Sequence, residues 1–167
     1  ALSVDFSKLK RDCNSLVEKL KNKNNVEIFT GEKYSLKLNI SNRKWFVDDG
    51  NGDFPPGEIS IAPIENDSNG DLLITIVNFR GKIYRNVLMT FKNGKLTKCS
   101  IDELDEFFNS LPENYRILCE LGIGLNPKIK ELIGLTLIDE KSLGTYHIGI
   151  GMNHLSGGEN HCPFHMD

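Results

Sequence analysis

The sequence predicts an α+β domain built on a largely antiparallel β-sheet, open or barrel-like, with a few flanking helices. Two observations predict this class. After residue 20 the apolar residues change from helical spacing to alternation with polar residues, which is the period of a strand. The alternating segments are separated by short turns at Gly31, Gly81 and Asn93–Gly94, and such turns favour antiparallel neighbours. The order of helix, strands, helix and strands is typical of α+β domains.

The first half of the chain contains one helix followed by strands. Apolar residues recur every three or four positions from Phe6 to Leu20, with charged residues between them, so this segment predicts an amphipathic helix. Alternating patterns then predict strands at residues 26–30, 34–40, 43–47, 59–63, 71–79, 82–91 and 95–100. Residues 48–53 are rich in Asp, Asn and Gly and read as a turn cluster, because the spacing of a calcium-binding EF-hand loop is missing.

The second half alternates short helices and strands. A helix is predicted over residues 102–110, ending before Pro112, and a strand over residues 116–123. A second short helix is predicted after Pro127, over residues 128–132, followed by a segment at residues 136–141. The alternating run at residues 144–151 predicts a further strand.

Length and composition limit the function classes. The 167 residues suit one domain, and the formal charge of -3 argues against binding nucleic acid through its phosphates. No apolar run approaches the roughly 20 residues that span a membrane, and the first residues show no charged-then-apolar signal pattern, so the expected location is the cytoplasm. The four cysteines show no C-x-x-C pair and are expected to be reduced thiols.

The carboxy-terminal segment carries the most specific chemistry. All four histidines lie between residues 147 and 165, and the chain closes on His165, Met166 and Asp167. Residues two apart on a strand share a face, so His165 and Asp167 are placed to hold one metal ion. His147, on the preceding alternating run, is a third candidate ligand. The competing interpretation is a set of solvated or hydrogen-bonded polar groups.

Two glutamates stand at unusual places. Glu58 follows two prolines and a glycine at the start of a predicted strand, and Glu120 interrupts the apolar run at residues 117–123. An unpaired buried carboxylate is costly, and a bound cation would offset that cost. The alternatives are a solvated charge at a strand end for Glu58 and an outward-facing side chain on a half-exposed strand for Glu120.

A string of motifs resembles one enzyme family. The chain resembles the M29 metalloaminopeptidases, the thermophilic or aminopeptidase T-like enzymes, over most of its length. The matching segments are FPPGE at residues 54–58, AP at 62–63, CELGIGLNP at 119–127, DEK at 139–141, GTYH at 144–147, GGEN at 157–160 and HMD at 165–167. The resemblance covers the carboxy-terminal, metal-binding part of those enzymes. It implies that residues 1–167 form a single metal-binding catalytic domain, a fragment or excised carboxy-terminal part of a longer enzyme.

The resemblance also implies a site with two divalent ions, Zn²⁺, Co²⁺, Mn²⁺ or Mg²⁺. Carried over by motif, the ligands are Glu58, Glu120, His147, His165 and Asp167, with Glu120 as the expected bridging ligand. About seven residues after the match to His147 the family commonly has a tyrosine, where this chain has His154. His154 is therefore the expected catalytic donor of a proton or hydrogen bond to the developing oxyanion. The alternative is that His154 ligates a metal ion.

Three functions remain open at this point. The resemblance implies an aminopeptidase that hydrolyses amino-terminal residues from peptides with a metal-activated water, and it implies a homodimer. One alternative is a ring-cleaving dioxygenase that holds a single non-heme Fe(II) ion through His147, His165 and Asp167. The other is a non-catalytic relative that binds a metal or a peptide.

Overall fold

The computed structural model describes residues 3–52 and 54–167. Helices α1, α2 and α3 are Phe6–Leu20, Asp102–Ser110 and Thr136–Asp139, and 3₁₀ turns lie at Glu113–Arg116 and His154–Ser156. Strands β1 to β5 are Asn25–Thr30, Tyr34–Asn39, Phe46–Asp48, Glu58–Ile61 and Ser68–Phe79. Strands β6 to β10 are Lys82–Lys92, Lys95–Cys99, Leu118–Gly124, Tyr146–Gly151 and His165–Met166.

The strands form two five-stranded antiparallel sheets, which confirms the α+β class. The first sheet has the order β1-β2-β5-β6-β7, and the second has the order β10-β9-β8-β4-β3. The barrel-like alternative is not observed, because strand pairing in residues 3–52 and 54–167 leaves two separate sheets. Lys95, on the edge strand β7 of the first sheet, and Ile117, directly before β8, form an isolated antiparallel bridge that does not extend into a ladder. Each sheet instead buries one apolar face in a shared core.

The core takes side chains from both sheets and from the first two helices. Its members are apolar residues at alternate positions of the strands, such as Leu36, Leu72, Ile59, Leu121 and Ile148. Such alternation leaves the opposite face of the second sheet free for polar residues. This second face carries the candidate site.

The first helix begins and packs as its sequence predicts. The carboxylate of Asp5 accepts a hydrogen bond from the backbone N–H of Lys8 at 3.0 Å, which caps the amino terminus of α1. Leu9 and Cys13 are buried in the core. None of the helices in the described ranges is long and apolar enough to cross a membrane.

The predicted helix over residues 128–132 is wrong. The Asn126 side chain accepts a hydrogen bond from the N–H of Lys128 at 2.9 Å, which favours a turn over continued helical hydrogen bonding. The helical turn lies later, as α3, where the Asp139 carboxylate accepts hydrogen bonds from the N–H groups of Ile133 and Gly134. These bonds fold the preceding segment back onto α3.

The predicted strand at residues 43–47 begins later than expected, at Phe46. Arg43 turns away from the sheet, and its guanidinium pairs with Glu65 at 2.6 Å. β3 then ends at Asp48, so the polar cluster at residues 48–53 follows a strand end, as predicted. Asp53 lies outside the described residues.

Candidate metal centre

One face of the second sheet carries acidic and imidazole groups, and glycines lie beneath these side chains. We call these glycines, Gly122, Gly124 and Gly149, the glycine floor. The antiparallel register sets each strand-borne candidate ligand opposite a glycine. The pairs are Glu58 with Gly124, Glu120 with Gly149, and His147 with Gly122. Ligand side chains fill the space above Gly122 and Gly149, and the backbone of residues 140–142 fills the space above Gly124.

The floor has no room for larger residues. A Cβ atom at Gly149 would lie 2.7 Å from Oδ1 of Asp167 and 2.9 Å from Cβ of Glu120. A Cβ atom at Gly122 would overlap the imidazole ring of His147. The candidate ligands therefore converge because the residues between them lack side chains.

The first ligand group contains Glu120, His165 and Asp167, whose ligand atoms lie within 4.8 Å of one another. Nε2 of His165 lies 3.0 Å from Oδ1 of Asp167 and 3.5 Å from Oε2 of Glu120. β10 pairs with the end of β9, so the predicted sharing of a face by His165 and Asp167 agrees with the register. All three side chains point into one cleft.

The hydrogen bonds of His165 fix which nitrogen faces the carboxylates. Nδ1 donates to the carbonyl oxygen of Met152 at 2.9 Å, so Nε2 is the atom directed at Asp167 and Glu120. A bare Nε2 lone pair beside two carboxylates would be repelled, so a proton or a metal ion belongs between them. Without metal, the hydrogen bond to Asp167 and then the contact with the Cys119 thiol raise the pKa of His165 to about 12.

The second ligand group contains Glu58, Glu140 and His147. Nε2 of His147 lies 3.3 Å from Oε1 of Glu58, while its Nδ1 is buried and has no hydrogen-bond partner among the described residues. Glu58 is 6% exposed, and burial raises the pKa of its carboxyl to about 7. Burial also raises the pKa of Glu140. These carboxylates lack the solvation that would keep them charged.

A buried lysine supplies the positive charge of the second group. Lys141 is 3% exposed, and its ammonium pairs with Glu58, with Glu140 at 3.0 Å and with Asp48 at 3.8 Å. Burial alone would lower the pKa of Lys141, but the charges of Glu58 and Glu140 outweigh it and raise the pKa. Lys141 thus neutralises part of the acidic cleft.

The donor set fits divalent cations. Five carboxylates and one lysine ammonium line the cleft, together with the imidazoles of His147 and His165. The carboxylates are Asp48, Glu58, Glu120, Glu140 and Asp167. Carboxylate and imidazole donors bind Zn²⁺, Co²⁺ and Mn²⁺, and carboxylates bind Mg²⁺. The excess of negative charge in a partly buried cleft calls for cations that Lys141 alone does not supply.

The loop between β9 and β10 is held by Glu65. The Glu65 carboxylate accepts hydrogen bonds from the Asn153 side chain at 2.8 Å and from the N–H of Glu159 at 2.6 Å. Burial acts to raise the pKa of Glu65, but these hydrogen bonds and Arg43 lower it below its ordinary value. The loop that leads to His165 is thereby anchored to the connection between β4 and β5.

His154, the expected catalytic residue, lies on the 3₁₀ turn that follows β9. Its ring stacks on His161 with 4.3 Å between centroids, and its buried Nδ1 has no partner in the described ranges. It does not line the cleft that contains the two ligand groups. Its catalytic role stays a prediction.

Glu140 and Lys141 line the cleft and were not among the candidates from sequence. Glu140 joins Glu58 and His147, and Lys141 binds both glutamates. Both belong to the segment at residues 139–141 that carries part of the family resemblance, which was the available signal. Their place in a turn, without strand or helix periodicity, gave no indication of which way the side chains point.

A comparison with protein families shows the family of the chain. A sequence profile of the family described as thermophilic metalloprotease (M29) matches residues 4–161, so His165 and Asp167 lie just beyond the matched region. No curated protein matches the sequence.

Two solved structures share the fold. Wild-type AmpT from Thermus thermophilus is similar with a TM-score of 0.76 and 18% identity, covering 96% of this chain and 47% of that one. A 2,5-dihydroxypyridine dioxygenase from Pseudomonas putida is similar with a TM-score of 0.76 and 16% identity, covering 97% and 53%. The chain therefore spans about half the length of each. Because the family profile covers most of the sequence, the chain belongs to the M29 family of thermophilic metalloproteases.

Proposed function

We propose that this chain forms the metal-binding part of a metal-dependent aminopeptidase that hydrolyses amino-terminal residues from peptides. The observation that carries the proposal is the pairing of two ligand groups on one glycine-floored face. Membership of a metalloprotease family supports a divalent metal and a peptide substrate. Assembly as a homodimer and a cytoplasmic location remain expectations from the sequence.

The proposed ligands divide between two sites. Glu58, Glu140 and His147 would hold one divalent ion, and Glu120, His165 and Asp167 would hold a second, with Glu120 as the expected bridge. The chemistry that such ions supply is polarisation of the scissile carbonyl and a lowered pKa for a bound water. The identity of the ions among Zn²⁺, Co²⁺, Mn²⁺ and Mg²⁺ is left to experiment.

The chain's own residues supply orientation and charge. The carbonyl of Met152 holds the His165 ring so that Nε2 faces the cleft, and Lys141 holds the carboxylates of Glu58 and Glu140. The carboxylates that line the cleft offer hydrogen-bond acceptors to the ammonium group at the amino terminus of a peptide. His154 would donate a proton or hydrogen bond to the developing oxyanion, as the family resemblance implies.

The test combines metal analysis with hydrolysis. The chain loaded with Zn²⁺, Co²⁺, Mn²⁺ or Mg²⁺ is expected to hydrolyse aminoacyl amides and to lose this activity with chelator. Glu120→Gln should abolish turnover, whereas Glu113→Gln, on an exposed residue far from the cleft, should not. A metal-loaded protein that hydrolyses no member of a peptide panel would rule the proposal out.

The ring-cleaving dioxygenase is the second candidate, because one solved structure of the same fold is a dioxygenase. That function would need His147, His165 and Asp167 on one iron. In the described residues His147 instead groups with two glutamates, and neither ligand group contains two histidines. One bound iron per chain, with oxygen uptake on an aromatic substrate, would favour the dioxygenase.

The non-catalytic alternative makes a different prediction for Glu120→Gln. A protein that only binds a peptide or a metal should retain peptide binding in this variant, whereas an aminopeptidase should bind peptide and lose turnover. Equilibrium binding of a peptide, measured beside hydrolysis, separates the two functions.

A further inference from the structure

A second cavity adjoins the candidate metal centre. It has a volume of about 280 Å³ and lies between the two sheets, at the edge of β9. β10 pairs with β9 only at Ile150 and Gly151, so the described part of the chain places no strand beside the earlier residues of that edge.

The walls of this cavity are apolar and come from both sheets. The contributing side chains are Ile74, Ile76 and Met89 from the first sheet and Tyr146, Ile150 and Met166 from the second. Ile74 is half-buried, although it lies on the face of β5 that packs against the core. The apolar surface at this end of the core is thus only partly covered by the protein itself.

The cavity shares part of its wall with the metal cleft. Glu140, His147 and Asp167 line both spaces. A group attached to a molecule bound between the two ligand groups would therefore lie next to the cavity. The shared residues are polar, and most of the other residues that line the cavity are apolar.

We propose that this cavity binds the side chain of the amino-terminal residue of the substrate, and that it selects apolar side chains of the size of leucine, methionine or phenylalanine. The inference rests on the proposed aminopeptidase function, because it places the peptide amino terminus in the metal cleft. A peptide ammonium beside the cleft carboxylates and an apolar side chain in the cavity match the charge and polarity of the two spaces.

Charged side chains fit this cavity poorly. Asp139 and Glu140 both line it, so an acidic side chain would meet like charge. The carboxylate of Asp139 already accepts hydrogen bonds from Ile133 and Gly134, so it is occupied within the protein. A lysine ammonium carried to the inner wall of Met89 and Ile150 would lose its hydration without a partner.

The three methionines of the chain provide a direct probe. Met89 and Met166 line the cavity, and Met152 does not. In the chain labelled with ¹³C-methyl methionine and supplied with Zn²⁺, L-leucinamide should shift the methyl signals of Met89 and Met166 and leave that of Met152 in place. Glycinamide, which lacks the side chain, should shift neither cavity signal.

A pair of variants on one strand tests selectivity. Ile74→Phe narrows the cavity, whereas Leu73→Phe adds the same ring at the neighbouring residue, which faces away from it. Ile74→Phe should lower kcat/KM for leucinamide at least tenfold relative to alaninamide, and Leu73→Phe should leave that ratio unchanged. Thermal unfolding of both variants checks that each is folded.

The two readouts separate this inference from the proposed function. Shifts of Met89 and Met166 without any hydrolysis would support the cavity and overturn the aminopeptidase. Hydrolysis without these shifts, or with no preference for leucinamide over glutamic acid amide, would overturn the cavity and leave the aminopeptidase standing. Absence of both binding and hydrolysis would overturn both.

Discussion

Gly122 lies directly opposite His147 in the ladder between β8 and β9, and the imidazole ring of His147 occupies the space where a side chain at residue 122 would be. Because residue 122 has no side chain, the ring of the candidate ligand His147 fits into this space. Gly122→Ala should displace His147 and lower the metal affinity of the second ligand group, which contains Glu58, Glu140 and His147, at least tenfold. Equilibrium titration with Zn²⁺, followed by competition with a chelator, measures this loss.

A matched control for this prediction lies on the neighbouring strand. Ser60 pairs with Gly122 from the other side and also lines the cleft, but it already carries a side chain. Ser60→Ala should leave Zn²⁺ affinity unchanged within a factor of about three. Equal affinities for Gly122→Ala and the unmodified chain would show that the close packing of glycine against His147 is unimportant.

Glu140 is expected to be a metal ligand although it lies in a turn. Glu140→Gln removes one charged donor from the group with Glu58 and His147 and leaves the group of His165 intact. The zinc content should fall from two ions to one per chain, as measured by elemental analysis after dialysis. Glu131→Gln, an exposed position in the same loop, is the control and should retain both ions. Retention of two ions by Glu140→Gln would remove Glu140 from the ligand set.

Metal binding is expected to release protons. In the metal-free protein the pKa of His165 is raised to about 12, so near pH 7 a proton holds the place between Nε2 and Asp167. A metal ion that binds Nε2 must displace this proton. Glu58, with its pKa raised to about 7, is partly protonated near pH 7 and releases a further fraction of a proton on metal binding. Affinity for Zn²⁺ should therefore rise with pH, about tenfold per unit for each proton released.

Calorimetry in two buffers measures this exchange. The binding heat should differ between phosphate and Tris by the number of released protons times the difference in buffer ionisation enthalpy. His165→Asn should release about one proton fewer, whereas the exposed His161→Asn should behave like the unmodified chain. Identical heats in the two buffers would mean that no proton occupies the ligand position.

Local patterns were enough to predict most of the strands. The turn at Asn93 and Gly94 has positive φ at both residues, 48° and 76°, which is the conformation that this dipeptide favours in a two-residue hairpin. The predicted helices at Phe6–Leu20 and Asp102–Ser110 match the observed bounds. In each of these elements the residues that decide the conformation are neighbours in sequence.

The arrangement of the site depended on contacts that no local pattern encodes. β4 pairs with β8 although about 60 residues separate them, and this pairing carries Glu58 toward Glu120. The family resemblance supplied both glutamates and included residues 139–141, but the ligand set carried over from it did not contain Glu140 or Lys141, whose turn lies against Gly124. The direction of a turn side chain is set by the packing of that turn on the sheet, which alternation along one strand does not report.

Lys141 is expected to stabilise the protein most when no metal is bound. It is 3% exposed, and removal of its ammonium would leave Glu58 and Glu140 without the counter-charge that Lys141 supplies. Lys141→Met should therefore lower the free energy of unfolding of the metal-free chain by about 3–5 kcal/mol, the usual cost of breaking a buried ion pair. Saturating Zn²⁺ should recover much of this loss, because a divalent ion neutralises the same carboxylates.

Chemical denaturation with chelator and with Zn²⁺ measures the stability loss and its recovery by metal. Lys82→Met, which breaks the exposed pair with Glu103, is the control and should change the free energy of unfolding in neither condition. A metal-free Lys141→Met as stable as the unmodified chain would show that these carboxylates are protonated, with no need of a counter-charge.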